Sequence, residues 1–304
     1  MTKKVLITGA TGFLGQNLVE YLSRHDYEII GTWKHHEPKS CFEHVRYSQV
    51  DLGGKQEVDQ LFTATFFDAV IHLAGHMKGM YIKDFLKNSV DVTDYLISAA
   101  QKHGVETFIY ASSLSVHGHT ADIVQEHSDR TNLSDYGMAK YIGERLLEDS
   151  SIKNRVSIRL PRMLGKHIDL SYPWLPKLAK DLMANREIRY FNPNLLYNNL
   201  AHTDTLSEFL TKIVDDTEAS WKGYHTIELG SAEPASVIGI IKQMREGLHS
   251  ASPLYELKEN LPRHTCFLID ISRAQQCGYK PWTVKRTLDR FIEDLKEGAF
   301  INEK

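Results

Sequence analysis

Short apolar, β-rich runs alternate with amphipathic stretches through the first half of the chain. Val5–Thr8 has the composition of a strand, and Phe13 to Ser23 sets Phe13, Leu14, Leu18, Tyr21 and Leu22 at helical spacing. Glu28–Thr32, Val45–Val50 and Ala69–Leu73 supply three more strand patterns. A long helical pattern covers Ile82 to His103, followed by a strand at Thr107–Ala111, a helix at Tyr136–Asp149 rich in Ala, Glu, Lys and Leu, and a sixth strand at Val156–Leu160. Strands alternating with helices imply right-handed crossovers, and so a doubly wound parallel sheet of the α/β class.

After Arg162 the rhythm breaks. Prolines stand at 161, 173, 176 and 193, and the stretch RYFNPNLLYNNLAHTD has no clear period. Thr226–Leu229 is then expected as a strand, Ser236–Leu248 as a helix with Val237, Ile240, Ile241, Met244 and Leu248 inward, and Val284–Glu297 as a last helix. These patterns divide the chain into a larger domain, 1–165, and a smaller substrate-binding lobe, 166–304, with some interleaving.

The bulk numbers narrow the class of partner. At 304 residues, 42% hydrophobic and 25% charged, the chain can bury a large core. A formal net charge of -3 offers no basic stripe for a phosphate backbone, so nucleic acid is not expected as a partner. Cys41, Cys266 and Cys277 are too few for a disulfide framework, which points to a reducing compartment. No apolar run is long enough to span a membrane, and the lysines before Val5 are followed by glycines rather than by a leader pattern. A cytoplasmic location is expected, with no membrane partner.

Between the first strand and the first helix lie Gly9, Gly12 and Gly15. Glycines there shape the turn, let a pyrophosphate reach the amides of the helix N-terminus, and let helix and strand pack closely. The spacing is G-x-x-G-x-x-G, and a plain βα turn without ligand has the same composition. At the end of the second strand, where a carboxylate would accept ribose hydroxyls, the chain has Trp33, Lys34, His35 and His36. A cation there suits a 2′-phosphate, so NADP is expected in preference to NAD. Asp51, after the third strand, is placed either to hydrogen-bond an adenine amine or to cap the next turn.

YGMAK puts Tyr136 and Lys140 one helical turn apart. Free tyrosine titrates at about 10, and a neighbouring ammonium favours the phenolate, which makes the phenol usable as an acid or base. The same spacing also describes an exposed aromatic beside a solvated lysine. The strand ending in YASSLSVHG decides for chemistry, because ligands gather at the carboxyl ends of such strands and Ser113 is placed there to hold a substrate oxygen, a lone serine at a strand end being otherwise merely a cap.

TGATGFLG at 8–15, DL at 51–52, HLAG at 72–75, SSLSVHG at 112–118, YGMAK at 136–140, RLPRMLG at 159–165 and DISRAQQCGYKPW at 270–282 follow one another in an order that resembles the extended short-chain dehydrogenase/reductase family. Within that family the resemblance is to nucleotide-sugar epimerases, dehydratases and ketoreductases. It implies a Rossmann-type fold and a catalytic triad of Ser113, Tyr136 and Lys140, with Lys140 also holding the nicotinamide ribose. It further implies cofactor contacts from Gly9, Thr11, Gly12, Phe13, Leu14, Gly15, Trp33, Lys34, His35, Asp51, Leu52, Leu73, Ala74, Gly75, Tyr136, Lys140 and Pro161, with His72 also lining the cofactor. The expected reaction is NAD(P)-dependent hydride transfer at a sugar carbon, C4 of a nucleotide-linked hexose, by an epimerase or a 4-ketoreductase. A homodimer through the helices near 82–103 and 136–149 is expected as well. The alternative is a non-catalytic NADP-sensing protein on the same fold.

Three departures from the family pattern change the expectation. Dehydratases carry an acidic pair after the catalytic Ser or Thr, and here Leu114 and Ser115 stand in that place, which removes the acid and base needed to eliminate water. His117 replaces a tyrosine, either to touch a substrate hydroxyl or as a packed ring. NNLAHTD replaces an arginine-bearing approach to Asp204. The histidine pairs 35–36, 72–76 and 117–119 lack a metal-ligand pattern, and no metal is expected. Arg263 and His264 are placed to meet a diphosphate or to form a surface ion pair, and His76, Met77 and Met80 to wall a pocket or join the core.

Overall fold

The computed structural model describes residues 2–75, 81–118, 123–258 and 268–301. His76, Met77, Met80, His119, Arg263, His264 and Cys266 lie outside the described residues. The chain divides into two compact units that interleave along the sequence: Met1–Gly118, Ser128–Leu160 and Ser207–Ile227 form one, and His119–His127, Pro161–Leu206 and Glu228–Lys304 the other. Residues 207–227 thus join the larger unit, and the chain passes between the units five times.

The larger unit is built on β1 (Lys3–Thr8), β2 (Tyr27–Trp33), β3 (Val45–Gln49), β4 (Ala69–His72), β5 (Thr107–Ser113) and β6 (Asn154–Leu160), with the strand Gly223–Glu228 at its edge. Starting from that edge strand, the order is β6, β5, β4, β1, β2, β3. The pairs β1–β2, β1–β4, β2–β3, β4–β5 and β5–β6 are all parallel. A parallel sheet covered on both faces calls for continuous apolar strands, and Val5, Leu6 and Ile7 are all fully buried. Helices α1 (Phe13–Leu22), α2 (Lys55–Ala64), α4 (Asp91–Lys102) and α5 (Asp135–Glu148) pack around it, and the short α3 (Ile82–Phe85) precedes α4. Leu6, Ile30, Val70 and Phe108 from the sheet meet Val58 and Phe62 of α2, Leu96 and Ile97 of α4 and Leu147 of α5 in one core cluster.

The single helix expected over 82–103 is three pieces, because a π-helical turn, Leu86–Val90, interrupts it. Strand order reverses between β1 and β4, which opens a crevice at their carboxyl ends. Gly9 follows β1 there, and Leu73, Ala74 and Gly75 follow β4.

In the smaller unit, two-stranded parallel pairs join Arg162–Leu164 to Leu200–His202 and Ile188–Tyr190 to Leu254–Glu256. Its helices Val237–Gly247 and Val284–Lys296 begin on Ser236 and Thr283, whose hydroxyls accept from the amides of Gly239 and Arg286 at 3.1 Å each. His202, in the NNLAHTD stretch, is buried with Nε2 2.9 Å from Asp294 Oδ2, and its Nδ1 accepts the Asp204 amide at 3.2 Å. Burial works to lower its pKa, and the Asp204 and Asp294 carboxylates more than offset that and raise it.

Candidate active site

The turn after β1 is an open elbow. Gly9 has φ +68°, and a Cβ there would stand 2.9 Å from the Ala74 amide nitrogen. A Cβ on Gly15 would come within 2.1 Å of the Gly9 carbonyl oxygen, so only glycine lets α1 start this close to the strand. Gly12 is the helix N-cap, is exposed and has no capping side chain, which leaves the first amides of α1 available to an anion. Thr11, Phe13 and Leu14 around it are half-buried. This cradle fits a dinucleotide pyrophosphate.

A buried polar chain fixes the facing loop. Thr93 Oγ1 donates to the Ser89 carbonyl at 2.7 Å, so it accepts from His72 Nε2 at 3.1 Å. His72 Nδ1 then accepts from Thr8 Oγ1 at 2.7 Å, and Thr8 in turn accepts the Ala74 amide at 3.2 Å. Burial, with a smaller contribution from Lys140, pushes His72 down to about 3, which keeps the ring neutral as this pattern requires. His72 therefore braces the loop from within and does not line the crevice as the resemblance implied, whereas Leu73 and Ala74 are half-buried and Gly75 is exposed.

At the end of β2, Trp33 is half-buried and Lys34 and His35 are exposed. Lys34 Nζ lies 2.9 Å from Asp51 Oδ1, an ion pair that holds the carboxylate below its usual range. Asp51 Oδ1 also accepts the Gly53 amide at 3.0 Å, so the turn-capping alternative is realised here. Leu52 is buried beneath it. Pro161 is buried and belongs to the smaller unit.

Helix α5 starts on Ser134, whose hydroxyl accepts the Gly137 amide at 3.1 Å. A Cβ on Gly137 would lie 2.3 Å from the Ser115 carbonyl oxygen, so the missing side chain brings the first turn of α5 onto the turn that follows β5. One turn on, Lys140 is 5% exposed and its Nζ donates to the Ala111 carbonyl at 2.7 Å. That ammonium lies 6.0 Å from the centre of the Tyr136 ring. Tyr136 is half-buried, with Phe85 edge-on at 6.2 Å between centroids. Ser113 sits between the two anchor points, Ala111 and Ser115. Its Oγ accepts the Ser115 amide at 3.1 Å and donates to Ser115 Oγ at 3.2 Å. Ser113, Tyr136 and Lys140 are thus assembled at the carboxyl end of β5.

His117 is fully buried, with Nε2 3.4 Å from Arg159 Nη1, which makes it the packed ring of its two alternatives. Two charged residues beside the lysine escape a reading of sequence. Glu144 and Arg159 form a buried pair with Oε2 and Nη2 2.8 Å apart. The available signal was spacing alone, since Glu144 continues the Tyr136–Lys140 stripe by one more turn.

A model of the NAD dependent epimerase/dehydratase family matches residues 5–222. The chain is 22% identical to an uncharacterized UDP-glucose epimerase, YtcB, of Bacillus subtilis (strain 168), over 92% of this chain and 93% of that one. It is 27% identical to the dTDP-D-glucose 4,6-dehydratase of Mus musculus over 69% of this chain and 64% of the other. Among solved structures, the Bordetella bronchiseptica enzyme WbmG in complex with NAD and UDP superposes with a TM-score of 0.85 at 17% identity, covering 100% of this chain and 99% of that one.

Burial lowers Lys140 to about 8, with Glu144 opposing the shift. The unfolded chain binds this proton more tightly, so the lysine weighs against folding below about pH 8, and the penalty fades as pH rises toward the ordinary value of about 10.4. Lys140→Met is accordingly expected to be more stable than the parent near pH 7 in urea denaturation, with the gap narrowing toward pH 10. A gap that widens with pH contradicts this account of the site.

Proposed function

The chain belongs to the NAD dependent epimerase/dehydratase family, and from that premise we propose that it transfers a hydride between nicotinamide and carbon 4 of a nucleotide-linked hexose. The observation that carries the reading is the buried Lys140 ammonium, held on Ala111 within reach of Tyr136 at the end of the strand that bears Ser113. Bound nicotinamide supplies the acceptor and donor of the hydride. Tyr136 removes the hydroxyl proton from the sugar oxygen and later returns it. Lys140 stabilises the phenolate in between. Ser113, whose lone pair already takes the Ser115 amide, turns its O–H from Ser115 Oγ to the sugar oxygen.

A 4-ketone that stays, turns and is reduced on its other face makes the enzyme an epimerase, and a ketone reduced by exchanging cofactor makes it a ketoreductase. Elimination of water is disfavoured, because Leu114 is a buried hydrocarbon and Ser115 a neutral hydroxyl where an acid and a base would stand. For the cofactor we propose a preference for NADP, supported by the absence of a carboxylate at Trp33 and by the exposed Lys34. Asp51 already takes part of that charge, so the preference is modest. We also propose a homodimer through α4 and α5, between which lies a hollow of about 520 Å³ where Ile97 and Leu146 stand among polar residues such as Asp94, Gln101, Lys102 and Asp149.

Tyr136→Phe is expected to lower kcat on a responsive nucleotide sugar by about 10²–10⁴-fold while NAD(P) binding is unchanged. Parent turnover in that variant eliminates the base assignment, whereas a parent that binds NAD(P) but turns over no nucleotide sugar favours the sensor alternative. Lys34→Ala is expected to raise KM for NADPH about tenfold, or about 1.4 kcal/mol, and to leave KM for NADH alone. An equal effect on both cofactors refutes the 2′-phosphate contact. Light scattering is expected to find twice the chain mass, and a monomer at working concentration sets the dimer aside.

A further inference from the structure

Tyr136, Lys140 and Glu144 lie at successive turns along one stripe of α5, and Glu144 is only 2% exposed. Its carboxylate is where three elements meet. Oε1 accepts from Ser112 Oγ at 2.6 Å and from Arg159 Nε at 2.9 Å, and Oε2 from Arg159 Nη2 at 2.8 Å. Arg159 comes from β6 and Ser112 from β5. Ser112 is flanked by Ala111, which holds the Lys140 ammonium, and by Ser113.

We propose that Glu144 is a positioning residue for the hydride-transfer site: clamped by Arg159 and Ser112, it fixes α5 against β5 and supplies the negative charge that keeps Lys140 an ammonium beside Tyr136. The inference rests on the catalytic reading of Tyr136 and Lys140. A buried carboxylate costs several kcal/mol in desolvation unless its oxygens are well satisfied, and here three donors satisfy them. Facing Glu144 are Arg159 from β6, Tyr110 from β5, Tyr224 from the edge strand and Lys140 from its own helix. His117 faces Arg159, while His72 of β4 and Tyr136 face Lys140. Burial keeps Tyr110, Tyr224 and His72 neutral near pH 7, which leaves Glu144 as the negative partner of Lys140 in this set.

The test reads ionisation directly and needs no substrate. Phenolate absorbance is titrated in the parent and in Glu144→Gln, each with and without Tyr136→Phe, and the difference within each pair isolates Tyr136. Tyr136 in the parent is expected to ionise below the ordinary value of about 10, and Glu144→Gln is expected to raise it by about one unit or more, because Lys140 then loses its proton at lower pH. A low parent value that Glu144→Gln leaves unchanged overturns the role of Glu144 alone. An ordinary value in the parent overturns the catalytic reading, and the role of Glu144 with it. Where Glu144→Gln does not fold, Ser112→Ala leaves the carboxylate on Arg159 and removes a donor that offsets its charge, so the same value is expected to fall by a few tenths of a unit, and a rise or no change there overturns the inference.

Discussion

Helix α5 can rest on the end of β5 because residue 137 has no side chain. With Gly137 against the Ser115 carbonyl and Lys140 hydrogen-bonded to the Ala111 carbonyl, the helix is fastened to the strand on either side of Ser113. The remaining geometry of the site follows from that contact. It brings a phenol, an ammonium and a hydroxyl from two elements to one end of the sheet, beside the crevice where strand order reverses.

The same contact creates an electrostatic problem. Lys140 gives up its water, and burial draws it down to about 8. A lysine that lost its proton would no longer favour a phenolate next to it. The buried Glu144–Arg159 pair and its Ser112 donor lie one turn away, so the helix that bears the lysine also bears the charge that opposes the shift. Beside the lysine, His72 is held neutral and uses both ring nitrogens to brace the loop of Leu73, Ala74 and Gly75, where a Cβ on Gly75 would stand 3.3 Å from Lys140 Nζ.

Much of this was legible in sequence where the local rule is strong. Apolar β-rich runs marked β1 to β6 and the end of the edge strand, the glycine elbow marked the first turn, and YGMAK after a serine-ended strand marked the candidate site. Helix α2 was not marked, since only Val58 and Phe62 of its ten residues are buried and, Leu61 and Ala64 apart, the rest is polar. The π-helical turn at Leu86–Val90 was invisible because an added residue within a helix leaves composition and overall period almost unchanged. Glu144 and Arg159 look like solvated charges until the fold joins α5 to β6, and the passage of 207–227 into the larger unit is likewise a long-range outcome. NNLAHTD departs from its family pattern, and in the structure His202 within it serves as a buried brace to Asp294 rather than as an exposed group.

The central claim, that the hydrogen on the reacting sugar carbon leaves as a hydride while Tyr136 handles only the hydroxyl proton, is tested most directly by isotope. A nucleotide hexose carrying deuterium at carbon 4 is turned over in ordinary water and the label is located. Deuterium retained in the epimerised sugar, or recovered in reduced cofactor, is the predicted result. Deuterium released into water contradicts it, because it would mean that carbon 4 loses a proton.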